Sequence, residues 1–144
     1  MEREAARWTN GPAICRGITM TGARYSTFTI DDLLHKFTES CLIQYETDLT
    51  DDIDTYNREF QTLVEIKNEL QSRGPMARRQ LLRLLSNSNK QVRLMAAKHV
   101  YPVAREEAKA CLQNLAAGPF PDDQVFAARM CLHRLEEVPD CLDH

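Results

Sequence analysis

The central segment of the chain alternates apolar helical stripes with short polar breaks. It runs from Arg79 to Ala117 and reads RQLLRLLSNSNKQVRLMAAKHVYPVAREEAKACLQNLAA. Apolar residues recur at spacings of three and four on each side of the polar turn 86–89 and of Pro102, which is the period of an amphipathic helix. The pattern predicts helix, turn, helix, Pro break and helix, an order typical of a stacked helical repeat.

Two longer amphipathic stretches precede this segment. Thr29 can cap the first helix, and Asp32 stands where a capping box needs it. The second helix should span about residues 52–72 and end at Gly74 and Pro75, since Gly permits a left-handed closing residue and Pro suits the next first turn. The expected apolar stripes are Ile30, Leu33, Leu34, Phe37, Cys41 and Tyr45 in the first, and Ile53, Tyr56, Phe60, Leu63, Val64, Lys67 and Leu70 in the second.

The third and fourth predicted helices flank the polar turn. The third should span about residues 75–86, and Ser88 with Gln91 forms a capping box that begins the fourth, which Pro102 ends. The inward positions are Leu81, Leu82, Leu84 and Leu85 in the third helix, and Val92, Ala96, His99 and Val100 in the fourth.

Two more helices complete the pattern. The fifth should span about residues 103–117, and Asp122 or Asp123 should cap the sixth, which ends before Pro139. Their inward positions are Ala108, Cys111, Leu112 and Leu115, then Val125, Ala128, Leu132 and Leu135.

These elements define the expected organisation of the chain. The fold class is all-α, with about six helices forming a short HEAT-like α-solenoid of stacked antiparallel helix pairs. Residues 1–28 lack a sustained period and are expected to be disordered, residues 29–137 form one domain, and residues 138–144 form a frayed tail. Met20 is a second plausible start, so residues 1–19 could be an upstream extension of the reading frame.

Composition and charge sharpen this picture. An aromatic content of 7% and only five Gly disfavour a β-rich fold. No apolar run is long enough to span a membrane or to form a secretory signal, so we expect a cytoplasmic protein. The net charge of −3 is unevenly distributed: residues 20–72 carry eleven acids and four bases, residues 73–109 carry two acids and nine bases, and residues 110–144 carry six acids and two bases.

Two hairpins in the second half carry a family resemblance. Val92 and Val125 stand at equivalent positions 33 residues apart. The segment LLRLLSNSNKQVRLMAAKHV resembles a HEAT-type repeat, and VRLMAAKHVYPVA, EEAKACLQNLAAG and FAARMCLHRLEE resemble a family of small bacterial HEAT-like domains of unknown function. The resemblance covers about residues 76–137. It implies a HEAT-like fold and a role like that of immunity proteins encoded beside secreted toxins, and it carries over no catalytic residue.

Reactive constellations are missing from the sequence. The five cysteines form no CxxC pair and no metal-ligand spacing with the four histidines. His99 has no acid three or four residues away to orient it, so we interpret it as a core histidine. The acidic run at 48–54 lacks the Gly turn and distal Glu of a calcium loop. We therefore expect no enzyme, no metal and no cofactor, and a protein-binding module instead.

Two surfaces are candidates for the partner, and the sequence does not choose between them. The basic candidates are Arg78, Arg79, Arg83, Lys90, Arg93 and Lys98. If the partner is a basic toxin, the acidic candidates are Asp48, Asp51, Asp52, Asp54, Glu59, Glu65 and Glu69, because complementary charge speeds association. The alternative function is a small nucleic-acid-binding solenoid that uses the basic segment 73–109, and a third is a structural subunit that forms homo-oligomers.

Overall fold

The computed structural model describes residues 24–144, and within them every regular element is helical. The expected all-α class with six α-helices is confirmed. They are α1 (Ile30–Thr50), α2 (Ile53–Ser72), α3 (Pro75–Arg78), α4 (Lys90–Val100), α5 (Arg105–Ala116) and α6 (Asp123–Glu137), with 3-10 turns at Arg79–Leu84 and Tyr101–Val103.

Helices α1 and α2 form an antiparallel hairpin. Thr29 and Asp32 make the predicted capping box at the start of α1. Asp51 closes α1 in the left-handed conformation, with a φ of 57°, and Asp52 caps α2 by accepting from the N–H of Thr55 at 3.2 Å. The α1 stripe from Leu33 to Cys41 is buried in the core as expected, whereas Ile53 is exposed.

The third predicted helix differs from the expectation. Gly74 has the positive φ of 105° that follows α2, and Pro75 begins α3 as predicted. The α-helix ends at Arg78, however, and residues 79–84 form a 3-10 turn. Leu81 is fully buried, while the other three leucines of this segment are half-buried: Leu82, Leu84 and Leu85.

Helix α4 lies at the centre of the molecule and packs against α1, α5 and the 3-10 turn 79–84. Its predicted inward residues Val92, Ala96, His99 and Val100 are all buried. Its cap is one residue later than expected: Asn89 accepts from the N–H of Gln91 at 2.9 Å. The Ser88–Gln91 capping box is therefore wrong, because the side chain of Gln91 turns into the core instead of back to the cap.

Helices α5 and α6 pack against each other. Asp122 caps α6 through the N–H groups of Gln124 and Val125, as predicted. Gly118 lies in the connection, where an added Cβ would stand 2.8 Å from a Val125 methyl group, so this close approach requires a glycine. The inward positions of both helices are buried except Cys111 and Leu132, which are half-buried.

Both ends of the described chain are packed. Tyr25 is buried, and the Arg73 guanidinium donates to the carbonyl oxygens of Tyr25 and Phe28 at 3.2 and 2.7 Å. At the other end Leu142 is buried and Arg105 pairs with Asp143 at 2.8 Å, so residues 138–144 do not form the expected frayed tail. The remaining expectations for the N-terminus, disorder up to residue 23 and an upstream extension 1–19, lie outside the described residues.

Candidate functional site

Arg78, the first basic candidate, lies inside the protein. It is buried, and its guanidinium donates to the carbonyl oxygens of His99 at 2.8 Å and His144 at 2.7 Å. Burial also lowers the pKa of Arg78. Its side chain therefore joins α3, the end of α4 and the C-terminal segment, and does not reach a partner at the surface.

Most other basic candidates also bond within the chain. Arg79 donates to Val103 O at 2.6 Å, and Arg83 pairs with Asp31 at 2.9 Å. Lys90 pairs with Asp122, and Arg93 donates to Asn87 O at 2.7 Å. Lys98 is half-buried and is the one basic candidate with no hydrogen bond or ion pair to another residue in the 24–144 region. The structure thus ties five of the six candidates into separate internal contacts and forms no basic groove from them.

Three of the acidic candidates have internal roles. Glu65 pairs with Arg24 at 3.0 Å, Glu69 pairs with Arg73 at 2.7 Å, and Asp52 caps α2. Burial raises the pKa of Glu65, and the Arg24 charge opposes that shift. For Asp52 the hydrogen bond with Thr55 lowers the carboxyl pKa. These three carboxylates therefore stabilise the α1–α2 hairpin and its N-terminal turn.

Asp48 and Asp51 meet Asp123 at the end of the molecule where α1 stops and α6 begins. Asp48, Asp51, Asp54 and Glu59 form no ion pair with any cation of the described chain. Asp123 at the start of α6 adds to this charge. Burial raises the pKa of Asp48, and the neighbouring charges of Asp123 and Asp51 raise it further. The C-terminal end of a helix is itself negative, so the end of α1 adds to the field of these carboxylates.

Two large apolar side chains protrude among these acids. Leu49 is 73% exposed and Ile53 is 68% exposed. They flank the α1–α2 turn, and acidic residues stand directly before, between and after them in the chain. We define the acidic tip as this turn and its neighbour on α6: Asp48, Leu49, Asp51, Ile53, Asp54 and Asp123. Exposed apolar side chains with a charged surround are typical of protein interfaces.

A chain of buried glutamines lies beneath the acidic tip. Gln91 Nε2 on α4 donates to Gln44 Oε1 on α1 at 3.1 Å, and Gln91 Oε1 accepts from Gln124 Nε2 on α6 at 3.0 Å. Gln124 Nε2 also donates to Asp48 at 3.3 Å, and Tyr56 OH lies 3.5 Å from Gln91 Nε2. We call Gln44, Gln91 and Gln124 the glutamine ladder. It joins three helices and fixes where the Asp48 carboxylate of the tip stands.

The sequence analysis missed the ladder and the contribution of α6. The signals were present: Gln91 and Gln124 each precede the valine that anchors its hairpin, at the same spacing of 33 residues. Gln44 comes three residues after Cys41, on the buried stripe of α1. A polar residue repeated at an inward position predicts a partner of the same kind, because buried amides must be hydrogen-bonded.

The central histidine of the described chain belongs to the core. His99 is buried, its Nδ1 lies 2.8 Å from Met95 O, and burial lowers its pKa to about 4, consistent with a core histidine. The four cysteines from Cys41 onward are free, and burial raises the pKa of Cys41, Cys111 and Cys131. Within residues 24–144, no three His, Cys, Asp or Glu side chains are placed to hold a metal ion, and no helix could cross a membrane.

Comparison with known proteins places this arrangement in a family. The model of the family described as "Domain of unknown function (DUF2019)" matches residues 31–136. The crystal structure of the protein RPA1889 from Rhodopseudomonas palustris is similar, with a TM-score of 0.73 and 34% sequence identity, and the match covers 79% of this chain and 93% of that chain. No match was found among curated proteins.

Proposed function

The chain belongs to the DUF2019 domain family, and we propose that it is a non-catalytic protein-binding module whose acidic tip contacts a basic protein. One observation carries the proposal. The carboxylates of the tip surround exposed Leu49 and Ile53 and form no ion pair with a cation of the described chain, whereas five of the six basic candidates bond to other groups of the fold.

The charges and apolar groups of the tip have separate roles in this proposal. Unpaired carboxylates attract a positively charged partner over about 10 Å and speed association. Leu49 and Ile53 then provide apolar area that becomes dry on contact, and burying a side chain of this size contributes about 1.5–3 kcal/mol. The glutamine ladder holds α1, α4 and α6 together beneath the tip, so little conformational entropy is lost on binding.

The specific role that we propose is neutralisation of a cognate bacterial toxin, in the manner of immunity proteins. The resemblance of residues 76–137 to small HEAT-like proteins supports this role, and the proposed architecture is a short HEAT-like stack of helix pairs. A basic toxin, such as a nuclease, fits the charge of the tip because enzymes that bind nucleic acid are themselves positively charged.

The nucleic-acid alternative has less support from the structure. A phosphate-binding groove needs several basic side chains free on one surface. Arg78 is buried, and Arg79, Arg83, Lys90 and Arg93 donate to carbonyl or carboxylate oxygens of the chain. We therefore give the acidic tip precedence over the basic segment.

The test is co-expression with the products of neighbouring genes, followed by purification of the complex. We expect one neighbour to be toxic when expressed alone and to bind this protein tightly. The variant Asp48→Asn/Asp51→Asn/Asp54→Asn should weaken binding at least about tenfold, which corresponds to about 1.4 kcal/mol. If no neighbour binds and none is toxic alone, the toxin-neutralising role is excluded.

A matched control separates the tip from overall charge. Glu106→Gln/Glu136→Gln/Asp140→Asn removes the same number of acids at exposed positions away from the tip. This control should bind within about twofold of the original protein, since distant exposed charges are screened. An equal loss in both triple variants would show that net charge, and not the acidic tip, determines binding.

A further inference from the structure

The outer face of α1 carries a row of side chains at coiled-coil spacing that leads into the acidic tip. Leu42 is 42% exposed, and Leu49, seven residues later, is 73% exposed. Thr38 and Tyr45 are half-buried beside them and are also seven residues apart. Alternating steps of four and three residues define the contact line of two packed helices. We define the α1 seam as Thr38, Leu42, Tyr45 and Leu49.

The α1 seam is presented on a rigid helix. The opposite face of α1 is buried in the core through Leu33, Phe37 and Cys41. The helix has 21 residues and is therefore about 30 Å long. A second helix that crosses it at about 20° would stay in contact along the whole seam. The seam is thus formed before any partner arrives.

Two exposed glutamates run along one side of the seam. Glu39 and Glu46 are seven residues apart and occupy the e positions when the leucines are placed at a. Glu46 forms no ion pair with a cation of the described chain. Glu39 pairs with Lys36 at 3.9 Å and with His35 at 3.4 Å. Exposed pairs along one helix are weak, so both glutamates are available to a partner.

The end of α1 adds to this negative charge. The last turn of the helix contains no basic residue, although the negative end of a helix favours one. Asp48 lies in this turn and Asp51 follows it. Arg83, which pairs with α1 at 2.9 Å, does so through Asp31 at the other end of the helix. The described chain therefore provides no cation that pairs with the acids beside the leucines.

We propose that the α1 seam binds a basic amphipathic helix of the partner protein. Apolar side chains of that helix contact Leu42 and Leu49. Its lysines or arginines stand beside Glu39 and Glu46, as charged residues do along the edge of a coiled coil. The proposal rests on the protein-binding role of the acidic tip, because Leu49 belongs to both surfaces, and it names the part of the partner that makes the contact.

Charge selects this occupant over the others that an apolar helix face could bind. A second copy of the chain would bring the acids of one α1 against the acids of the other, and like charges across an interface oppose association. Nucleic acid and anionic membranes would be repelled for the same reason. A cationic helix satisfies both the leucines and the carboxylates of this face.

A synthetic peptide tests the proposal without the natural partner. It has leucine at the a and d positions of about three heptads and lysine at e and g, so that it does not pair with itself. Fluorescence anisotropy with the full chain should show saturable binding at about 0.15 M salt. A peptide of the same composition in scrambled order should bind at least about tenfold more weakly. Leu42→Asp should weaken binding of the ordered peptide by a similar factor, and the control Met76→Asp, at an exposed apolar residue on α3, should not.

A charge exchange tests the position of the glutamates. Glu39→Lys/Glu46→Lys should weaken binding of the lysine peptide at least about tenfold and strengthen binding of a peptide with glutamate at e and g. Equal binding of the ordered and scrambled peptides would overturn the proposal. Peptide binding that Leu42→Asp does not change would overturn it equally.

The natural partner separates this proposal from the proposed function. A neighbouring gene product that binds the original protein and Leu42→Asp equally, but binds the triple asparagine variant of the acidic tip more weakly, would overturn the α1 seam and leave the acidic tip supported. Binding of the ordered peptide in the absence of any neighbour that binds would exclude the toxin-neutralising role and support the seam.

Discussion

The substitution Gln91→Leu isolates the glutamine ladder. Leucine is apolar and of comparable volume, although it branches one carbon earlier than glutamine, and it carries no amide. Gln91 is fully buried and bonds in both directions, to Gln44 Oε1 at 3.1 Å and from Gln124 Nε2 at 3.0 Å. Leucine at position 91 therefore leaves Gln44 Oε1 without its donor, removes the donor that Gln91 Nε2 offers to Tyr56 OH, and takes one of two acceptors from Gln124 Nε2.

The losses differ in size. A buried acceptor left without a donor costs about 1–3 kcal/mol, and a lost bond whose donor keeps another acceptor costs about 0.5–1.5 kcal/mol. Gln124 Nε2 keeps Asp48 as an acceptor, so it falls in the second class. We expect Gln91→Leu to lower the free energy of unfolding by about 1.5–4.5 kcal/mol.

Urea unfolding followed by circular dichroism measures this change. The double variant Gln44→Leu/Gln91→Leu should be less destabilised than the sum of the single variants by about 1 kcal/mol, because it removes both partners of one bond. If Gln91→Leu changes the unfolding free energy by less than about 0.5 kcal/mol, or if the two changes add, the ladder does not stabilise the fold as argued.

Two further stability predictions follow from burial. Leu112→Ala should lower the free energy of unfolding by about 2–5 kcal/mol because Leu112 is fully buried. Leu85→Ala should lower it less because Leu85 is half-buried. Equal losses for the two variants in urea unfolding would contradict this difference in burial. Lys67 is buried with no acid bonded to it in the described chain, and burial, with the Arg78 charge, lowers its pKa. Lys67→Met should therefore stabilise the protein by about 1 kcal/mol or more. Because the pKa of Lys67 is lower in the folded protein, the unfolded chain holds this proton more tightly. The stability of the original protein should therefore rise with pH between the folded and the unfolded pKa of Lys67, and that of Lys67→Met should not. Equal pH profiles for the two proteins would contradict this account.

Local features of the sequence predicted the helices well. Helix caps and breaks depend on contacts within about three residues, so both partners can be read from neighbouring positions of the sequence. This holds for the capping box of Thr29, the Gly74–Pro75 break and the Asp122 cap. The inward residues of α4 followed from helical period alone. The change to a 3-10 turn after Arg78 was missed because the leucine pattern there suits either kind of helix.

The site depends on contacts that are distant in sequence. Arg78 is separated from its acceptors by 21 and 66 residues, and the Asp48–Gln124 bond joins residues 76 apart. Side-chain charge indicated two candidate surfaces but not which charges would be neutralised in the fold. The structure supplies that distinction, since five of the six basic candidates bond within the fold and Asp123 of α6 lies beside Asp48 of α1.

The association rate with the cognate partner tests the central proposal most directly. Stopped-flow mixing of the purified partner with the original protein should show fast association that slows steeply with added salt. Asp48→Asn/Asp51→Asn/Asp54→Asn should slow association by about tenfold or more at low salt, and Glu106→Gln/Glu136→Gln/Asp140→Asn should not. Equal rates for the two triple variants, or a rate that is independent of salt, would contradict the assignment of partner binding to the acidic tip.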